Sequence, residues 1–217
     1  MIVGEEYICD ITARAADRDA RSAFQQWVLG AAKPGSTIFD FGAGPGIDAK
    51  FYAERGFQVA AYDVDPRMCA AFLRYCRNQI ALKQVILFEG SYRNFLESPP
   101  PCGAGRVDVV TSNFAPISLI DDPHELFGKF HEMTASQAKV LISVLNPYCL
   151  SDARYGWWWR HVAVFGIRGH TSVPGTQGNI HRRSARNLEH SAAGYFRLTF
   201  VSGGLRRRFM LLGFDKC

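Results

Sequence analysis

The run Ile38-Phe39-Asp40-Phe41-Gly42-Ala43-Gly44-Pro45-Gly46 passes from an apolar strand through three alternate glycines toward a helix. Such a turn calls for glycine because the backbone must bend tightly and approach a ligand with no Cβ in the way. The helix that follows offers free N–H groups at its start, so the stretch reads as a site for a nucleotide-like ligand. A second strand ends at Asp63, where a carboxylate can accept both hydroxyl protons of a ribose. Position 47, where a dinucleotide fingerprint would place its third glycine, is Ile47, and the spacing is therefore G-x-G-x-G.

Outward from that loop, short β-rich apolar runs alternate with helix-period segments. Strands are expected at Thr37 to Phe41, Gln58 to Asp63, Gln84 to Glu89, Val107 to Ser112 and Lys139 to Leu145, each apolar on both alternations as a strand buried on two faces should be. Helices are expected near Asp48 to Arg55, Pro66 to Leu82, His124 to Met133 and Ser184 to Ala193, with Asp65 as N-cap and Pro66 in the first turn of the second. Ser98 to Gly105 reads as a surface loop. Tyr195 to Val201 and Arg207 to Leu212, joined through Ser202-Gly203-Gly204, read as a hairpin. The fold class is α/β: a doubly wound, mostly parallel seven-stranded sheet ending in an antiparallel hairpin, with residues 147–183 inserted after the fifth strand. Within that insertion Gly166, Gly169, Pro174, Gly175 and Gly178 are expected to interrupt any long element. We read residues 1–217 as one domain opening with an N-terminal helical segment over 1–35.

Composition narrows the class. Apolar residues make up 47% and charged residues 21% of the 217, which excludes a chain disordered throughout. The apolar stretches, such as Val140 to Leu145, fall far short of the ~20 residues of a membrane span. Met1-Ile-Val-Gly-Glu-Glu carries acids where a secretory signal would carry bases, so a cytoplasmic location is expected. Cysteines 9, 69, 76, 102, 149 and 217 form no C-x-x-C pair and stand at no metal-ligand spacing, which makes them packing residues and predicts no metal. Charge is uneven: residues 1–150 hold 14 Lys+Arg against 17 Asp+Glu, and residues 151–217 hold 11 against 3. A basic end of this kind is either a solvated face or a steering field for anions.

With these residues in place, a family resemblance emerges. Asp40-Phe-Gly-Ala-Gly-Pro-Gly resembles the first motif of the class I S-adenosylmethionine-dependent methyltransferases, and Tyr62-Asp63-Val64-Asp65-Pro66-Arg67-Met68 their second. Glu89-Gly90-Ser91-Tyr92 is similar to the adenine-contacting turn, and Val107 to Phe114 to the fourth-strand motif. The resemblance covers roughly residues 25–145 and, more loosely, the final hairpin; Ser136-Gln137-Ala138 stands where the family often has Pro-Gly-Gly. It implies a Rossmann-like fold and S-adenosyl-L-methionine as cofactor. By the same resemblance Asp40, Gly42, Ala43, Gly44 and Gly46 form the methionine-end cradle, and Asp63 with Val64 lies at the ribose. Gly90, Ser91 and Tyr92 would flank the adenine, and Asn113 and Phe114 would lie near the sulfonium.

On the acceptor side, an aromatic wall built on Trp158, within Trp157 to Trp159, is weighed against tryptophans that merely anchor the insertion. Arg160, Arg182 or Arg183 would pair an anionic group, and His161, His170 or His181 would serve as base or orienting group. His124 and His131, seven apart, read as a surface stripe. The expected partner is a small-molecule acceptor, anionic or aromatic in character. Nucleic acid is disfavoured because the Asn/Asp-Pro-Pro-Tyr/Phe stretch of base methyltransferases is replaced by Ser112-Asn113-Phe114-Ala115, and Asn146-Pro147-Tyr148 follows the wrong strand. A nucleic-acid methyltransferase, an NAD(P)-dependent oxidoreductase and a cofactor-binding non-enzyme stand as alternatives.

Overall fold

The structure is a computed structural model that describes residues 14–100, 102–175 and 178–217; the side chains of residues 157, 160–163 and 175 lie outside that description. Five strands, β1 (Thr37–Phe41), β2 (Gln58–Asp63), β3 (Val85–Glu89), β4 (Val107–Ser112) and β5 (Thr134–Leu145), run parallel. Two further strands of the sheet, β8 (Phe196–Ser202) and β9 (Phe209–Lys216), complete the order β3-β2-β1-β4-β5-β9-β8, with β9 antiparallel to both neighbours. The strand order reverses between β1 and β4, which opens a crevice beyond their carboxyl ends.

Alternation along the strands feeds two cores, one on each face. Ile38, Val59, Ala61 and Val109 pack beneath α1 (Ala15–Ala31), α2 (Ile47–Ala53) and α3 (Pro66–Tyr75) through Phe24, Tyr52 and Phe72. On the other face Phe39, Val110, Val140 and Ile142 pack beneath α5 (Tyr92–Glu97), α6 (Pro123–Met133) and α8 (Ala185–Ala192) through Phe95, Phe127, Phe130 and Leu188. Where Asp or Ser precedes a helix, its side chain caps the start. Asp65 accepts the Arg67 N–H at 2.9 Å and Asp122 the His124 N–H at 2.9 Å. Cys69, Cys76 and Cys149 are buried thiols; Cys9 lies outside the described residues, as does the rest of 1–13 within the N-terminal segment.

Three departures from expectation have physical causes. The helix read as Pro66 to Leu82 breaks at Cys76 into α3 and α4 (Arg77–Ala81), where Cys76 turns to φ −99° and its thiol donates to the Gly46 carbonyl at 3.4 Å. Residues 92–97 form α5 because Ser91 caps it, accepting the Asn94 N–H at 3.2 Å. The insertion is also more regular than its glycines suggest. It holds a 13-residue helix, α7 (Gly156–Arg168), with Gly166 inside it and Gly169 ending it at φ 65°. A two-stranded sheet of β6 (His170–Gly175) and β7 (Gly178–Arg183) follows. Burying Phe165 against Tyr148, with ring centroids 5.2 Å apart, outweighs the roughly 1 kcal/mol that one glycine costs a helix.

Candidate active site

The glycine loop joins β1 to α2, and its three glycines meet three different surroundings. A Cβ on Gly42 would lie 2.4 Å from Cβ of Pro116, and one on Gly46 would lie 2.6 Å from the Cys76 thiol and 2.7 Å from the Phe72 ring. At Gly44, with φ 55°, a Cβ would meet nothing within 4 Å. The three positions thus require glycine for different reasons. Gly42 lets the segment after β4 cross the loop and Gly46 lets α3 approach it, while Gly44 faces open space. The Gly42 and Ala43 N–H groups both donate to the Tyr62 carbonyl, at 2.8 and 3.0 Å, which fastens the loop to β2.

Two carboxylates sit under that loop. Asp63 accepts the Gly44 N–H at 2.7 Å on one oxygen and the Asp65 N–H at 2.9 Å on the other, so each oxygen keeps a lone pair for a further donor. Burial pushes its pKa up, against the lowering effect of those backbone hydrogen bonds. Asp40 is 2% exposed and takes a hydrogen bond from Thr111 at 3.1 Å on one oxygen, while its other oxygen is buried with no partner among the described residues. Burial, then the nearby Asp48, drive the Asp40 carboxyl far above the usual carboxylate range. A buried acid with an unpaired oxygen beneath an open glycine suits a ligand that brings a cation or a donor.

On the β2–β3 side Val64 is 57% exposed at the strand end, and Gly90 adopts φ 140° with open space before it. Tyr62, which the sequence reading left without a role of its own, holds that turn by donating its hydroxyl to the Gly90 carbonyl at 2.9 Å. Ser91 spends its oxygen on the α5 cap, and Tyr92 packs edge-on to Phe41 with its hydroxyl buried and without a partner among the described residues. The two residues expected to flank an adenine are thus committed to α5 and to the core.

Asn113 and Phe114 lie at the carboxyl end of β4, as expected. The Asn113 amide donates to Asp48 of α2 at 3.1 Å, and its oxygen accepts from Ser143 at 3.1 Å. Asp48 is buried, paired with Arg21 of α1 and accepting from Gln25 at 2.7 Å. Sequence reasoning missed this cluster because Arg21 and Gln25 are an ordinary helix face until α1 docks. Phe114 and Ala115 follow with φ 61° and 66°. Such left-handed geometry costs roughly 1–2 kcal/mol per non-glycine residue. It is held by the Phe114 N–H donating to Ser143 at 2.8 Å, and by the Phe114 ring lying under Arg21, 4.4 Å away, and 5.1 Å from Phe209.

Beside Phe114 opens a cavity of about 330 Å³ walled by Phe114, Ala115, Leu119, Leu145, Ile180 and Phe209, with Arg14, Asp17 and Arg208 at its edges. Arg182 and Trp158 are elsewhere. Arg182 donates to the Asn146 carbonyl at 2.9 Å and pairs with Asp152 at 2.8 Å, so it ties the insertion to the scaffold. Trp158 is half-buried against Trp159, centroids 4.8 Å apart. Arg160 and His161 lie in α7, but their side chains fall outside the described residues. Arg183, also a candidate for an anion, is buried and donates to the carbonyls of Ile120 at 2.7 Å and Asp121 at 2.9 Å. His181, next along β7 from the cavity-lining Ile180, turns to the opposite side by strand alternation. There it joins His170 at 3.1 Å and Asp121 at 2.8 Å.

A family model described as a methyltransferase domain matches residues 4–190. The chain belongs to this methyltransferase family. No curated protein matches the sequence. Among solved structures, an S-adenosylmethionine-dependent methyltransferase from Mesorhizobium loti aligns with a TM-score of 0.67 at 14% identity, covering 93% of this chain and 100% of that one. The 1,6-didemethyltoxoflavin N1-methyltransferase of Burkholderia thailandensis, solved with 1,6-didemethyltoxoflavin and S-adenosylhomocysteine, aligns at 0.65 and 17% identity over 99% and 87% of the two chains. Geranyl diphosphate C-methyltransferase from Streptomyces coelicolor A3(2), solved with Mg2+, geranyl-S-thiolodiphosphate and S-adenosylhomocysteine, aligns at 0.63 and 18% over 92% and 76%. These likenesses are of fold: the chain has the class I architecture of enzymes that use S-adenosylmethionine as cofactor. Open Gly44, unpaired Asp40 and the two free lone pairs of Asp63 fit that cofactor.

Proposed function

We propose that this methyltransferase carries the methyl group of S-adenosylmethionine to oxygen or nitrogen of a small acceptor, anionic and aromatic in character, seated in the cavity beside Phe114. The observation that carries the reading is the cavity and its charge. The segment whose Pro116 closes on Gly42 also supplies Phe114 and Ala115 to the cavity wall, so donor and acceptor sites share one partition. Its rim holds Arg14 and Arg208, and neither has a carboxylate partner among the described residues. Arginine in that setting favours carboxylate or phosphate, and the Phe114–Phe209 pair offers ring faces for stacking. The didemethyltoxoflavin and geranyl diphosphate enzymes, which act on small organic molecules, share the fold.

In this reading Asp40 and Gly44 hold the methionine end, Asp63 takes the ribose hydroxyls, and Val64 and Gly90 border the adenine. When bound, the cofactor supplies a sulfonium-activated methyl group for in-line displacement. The chain's own contribution is position and dryness: apolar walls exclude water and fix the acceptor atom. In this reading Asp17, a carboxylate lining the cavity, would take the proton an O or N acceptor loses.

The test is calorimetric titration with S-adenosylhomocysteine, with NAD as control, followed by transfer of labelled methyl groups to hydroxybenzoates and their neutral amides. S-adenosylhomocysteine binding with carboxylate-selective turnover is the expected result. NAD binding alone would overturn the donor assignment, and equal turnover of the amides would overturn the anionic acceptor.

A further inference from the structure

The acceptor-side insertion presents an apolar surface that nothing among the described residues covers. Ile167 of α7 is 87% exposed, Trp159 64% and Val164 42%, and at helical spacing these three share the outward side of α7. Leu150 and Leu205 extend the patch at 48% and 57% exposure, and they are neighbours because the Leu150 N–H donates to the Leu205 carbonyl at 2.7 Å. Trp159 is held in its outward pose by its indole N–H, which donates to the Ala153 carbonyl at 2.8 Å. Single exposed apolar residues are ordinary, but several gathered on one side of a helix and on the segments that flank it mark a contact surface.

Charge selects the occupant. Exposed Arg154, Arg168, Arg206 and Arg207 stand in the same segments as the patch. The nearby acid Asp152 is already neutralised by Arg182. A second copy of the chain would bring like charges together, whereas a surface of anionic lipid headgroups would meet both the arginines and the indole, which favours the boundary between water and acyl chain. No described helix is long and apolar enough to cross a membrane, so the contact would be peripheral.

We propose that α7 and the 203–208 loop dock this methyltransferase reversibly on anionic membrane surfaces, with Trp159, Ile167 and Leu205 entering the interface. The contact does not depend on which acceptor is methylated. The experiment is co-sedimentation of the full chain with phosphatidylcholine vesicles and with vesicles containing phosphatidylglycerol, at low and high salt. Binding only to the anionic vesicles, and weaker in salt, is the expected result. The Ile167→Glu and Trp159→Ser variants should each lower the vesicle partition by about tenfold or more, with S-adenosylhomocysteine affinity unchanged as the check on folding. Failure of the wild-type chain to sediment with anionic vesicles overturns the proposal. So does binding indifferent to both substitutions, or a concentration-dependent dimer that Ile167→Glu dissolves.

Discussion

Asp63 accepts the Gly44 N–H at 2.7 Å, so the end of β2 and the middle of the glycine loop are fastened by one charge-assisted hydrogen bond. The carboxylate thus shapes the crevice as well as facing it, and deleting it outright would disturb both roles. Asp63→Asn keeps a carbonyl acceptor and removes the charge that burial already disfavours. That variant turns its NH2 on one of the two backbone N–H groups, so it should lose about 1–3 kcal/mol in melting and bind S-adenosylhomocysteine roughly tenfold to a hundredfold more weakly. Asp63→Ala loses both backbone acceptances and should fall in stability as well. Calorimetric titration alongside thermal melting checks the pair, and an unchanged affinity in Asp63→Asn would remove the ribose role.

Gly42 and Gly44 should respond differently to the same added methyl group. In Gly42→Ala the new Cβ meets Pro116 at 2.4 Å with φ at 72°, so overpacking and backbone strain combine. A loss of about 2–4 kcal/mol is expected in urea unfolding. Gly44→Ala has open space and carries only the left-handed cost of about 1–2 kcal/mol. Its main defect should be weaker S-adenosylhomocysteine binding, because the methyl stands where the ligand approaches.

Asp48 gathers Arg21 and Gln25 from α1 and Asn113 from the end of β4. Asp48→Ala would strand a mostly buried guanidinium and two amides. Urea denaturation should show a loss of about 3–5 kcal/mol. A loss below about 1 kcal/mol would mean that the cluster is dispensable to the docking of α1.

Acid should loosen the inserted hairpin. Burial, then Arg183, then His181 hold the His170 pKa below its usual value of 6.5. The unfolded chain then binds this proton more readily than the folded one, so stability is complete above about pH 6.5 and declines as pH falls below it. Comparing melts of wild type and His170→Gln between neutral and mildly acidic pH isolates the effect: the wild type should lose more on acidification. Parallel curves for the two proteins would show that His170 titrates alike in the folded and unfolded chain.

Much of the scaffold was legible in one dimension. β1, β2 and β4 fall at the residues their apolar runs indicated, because a strand buried on both faces is marked by composition alone. Asp65 before Pro66 and the glycines of 42–46 are likewise local signals, since a cap and a left-handed turn depend on neighbouring backbone. The insertion was harder to read. Gly166 and Gly169 looked like breaks, but one lies inside α7 and the other caps it, because the helix is stabilised by packing of Phe165 that no local pattern reveals.

The sequence by itself determined the α/β class, the glycine loop and the acid beyond it, because each rests on contacts between residues near in the chain or on a periodicity of apolar side chains. Only the tertiary structure decided which glycine faces the crevice, that Arg182 is spent on Asp152, and that Arg14 and Arg208 line one cavity. Those outcomes depend on pairs far apart in sequence, and a side chain's partner is settled by docking geometry rather than by its own identity.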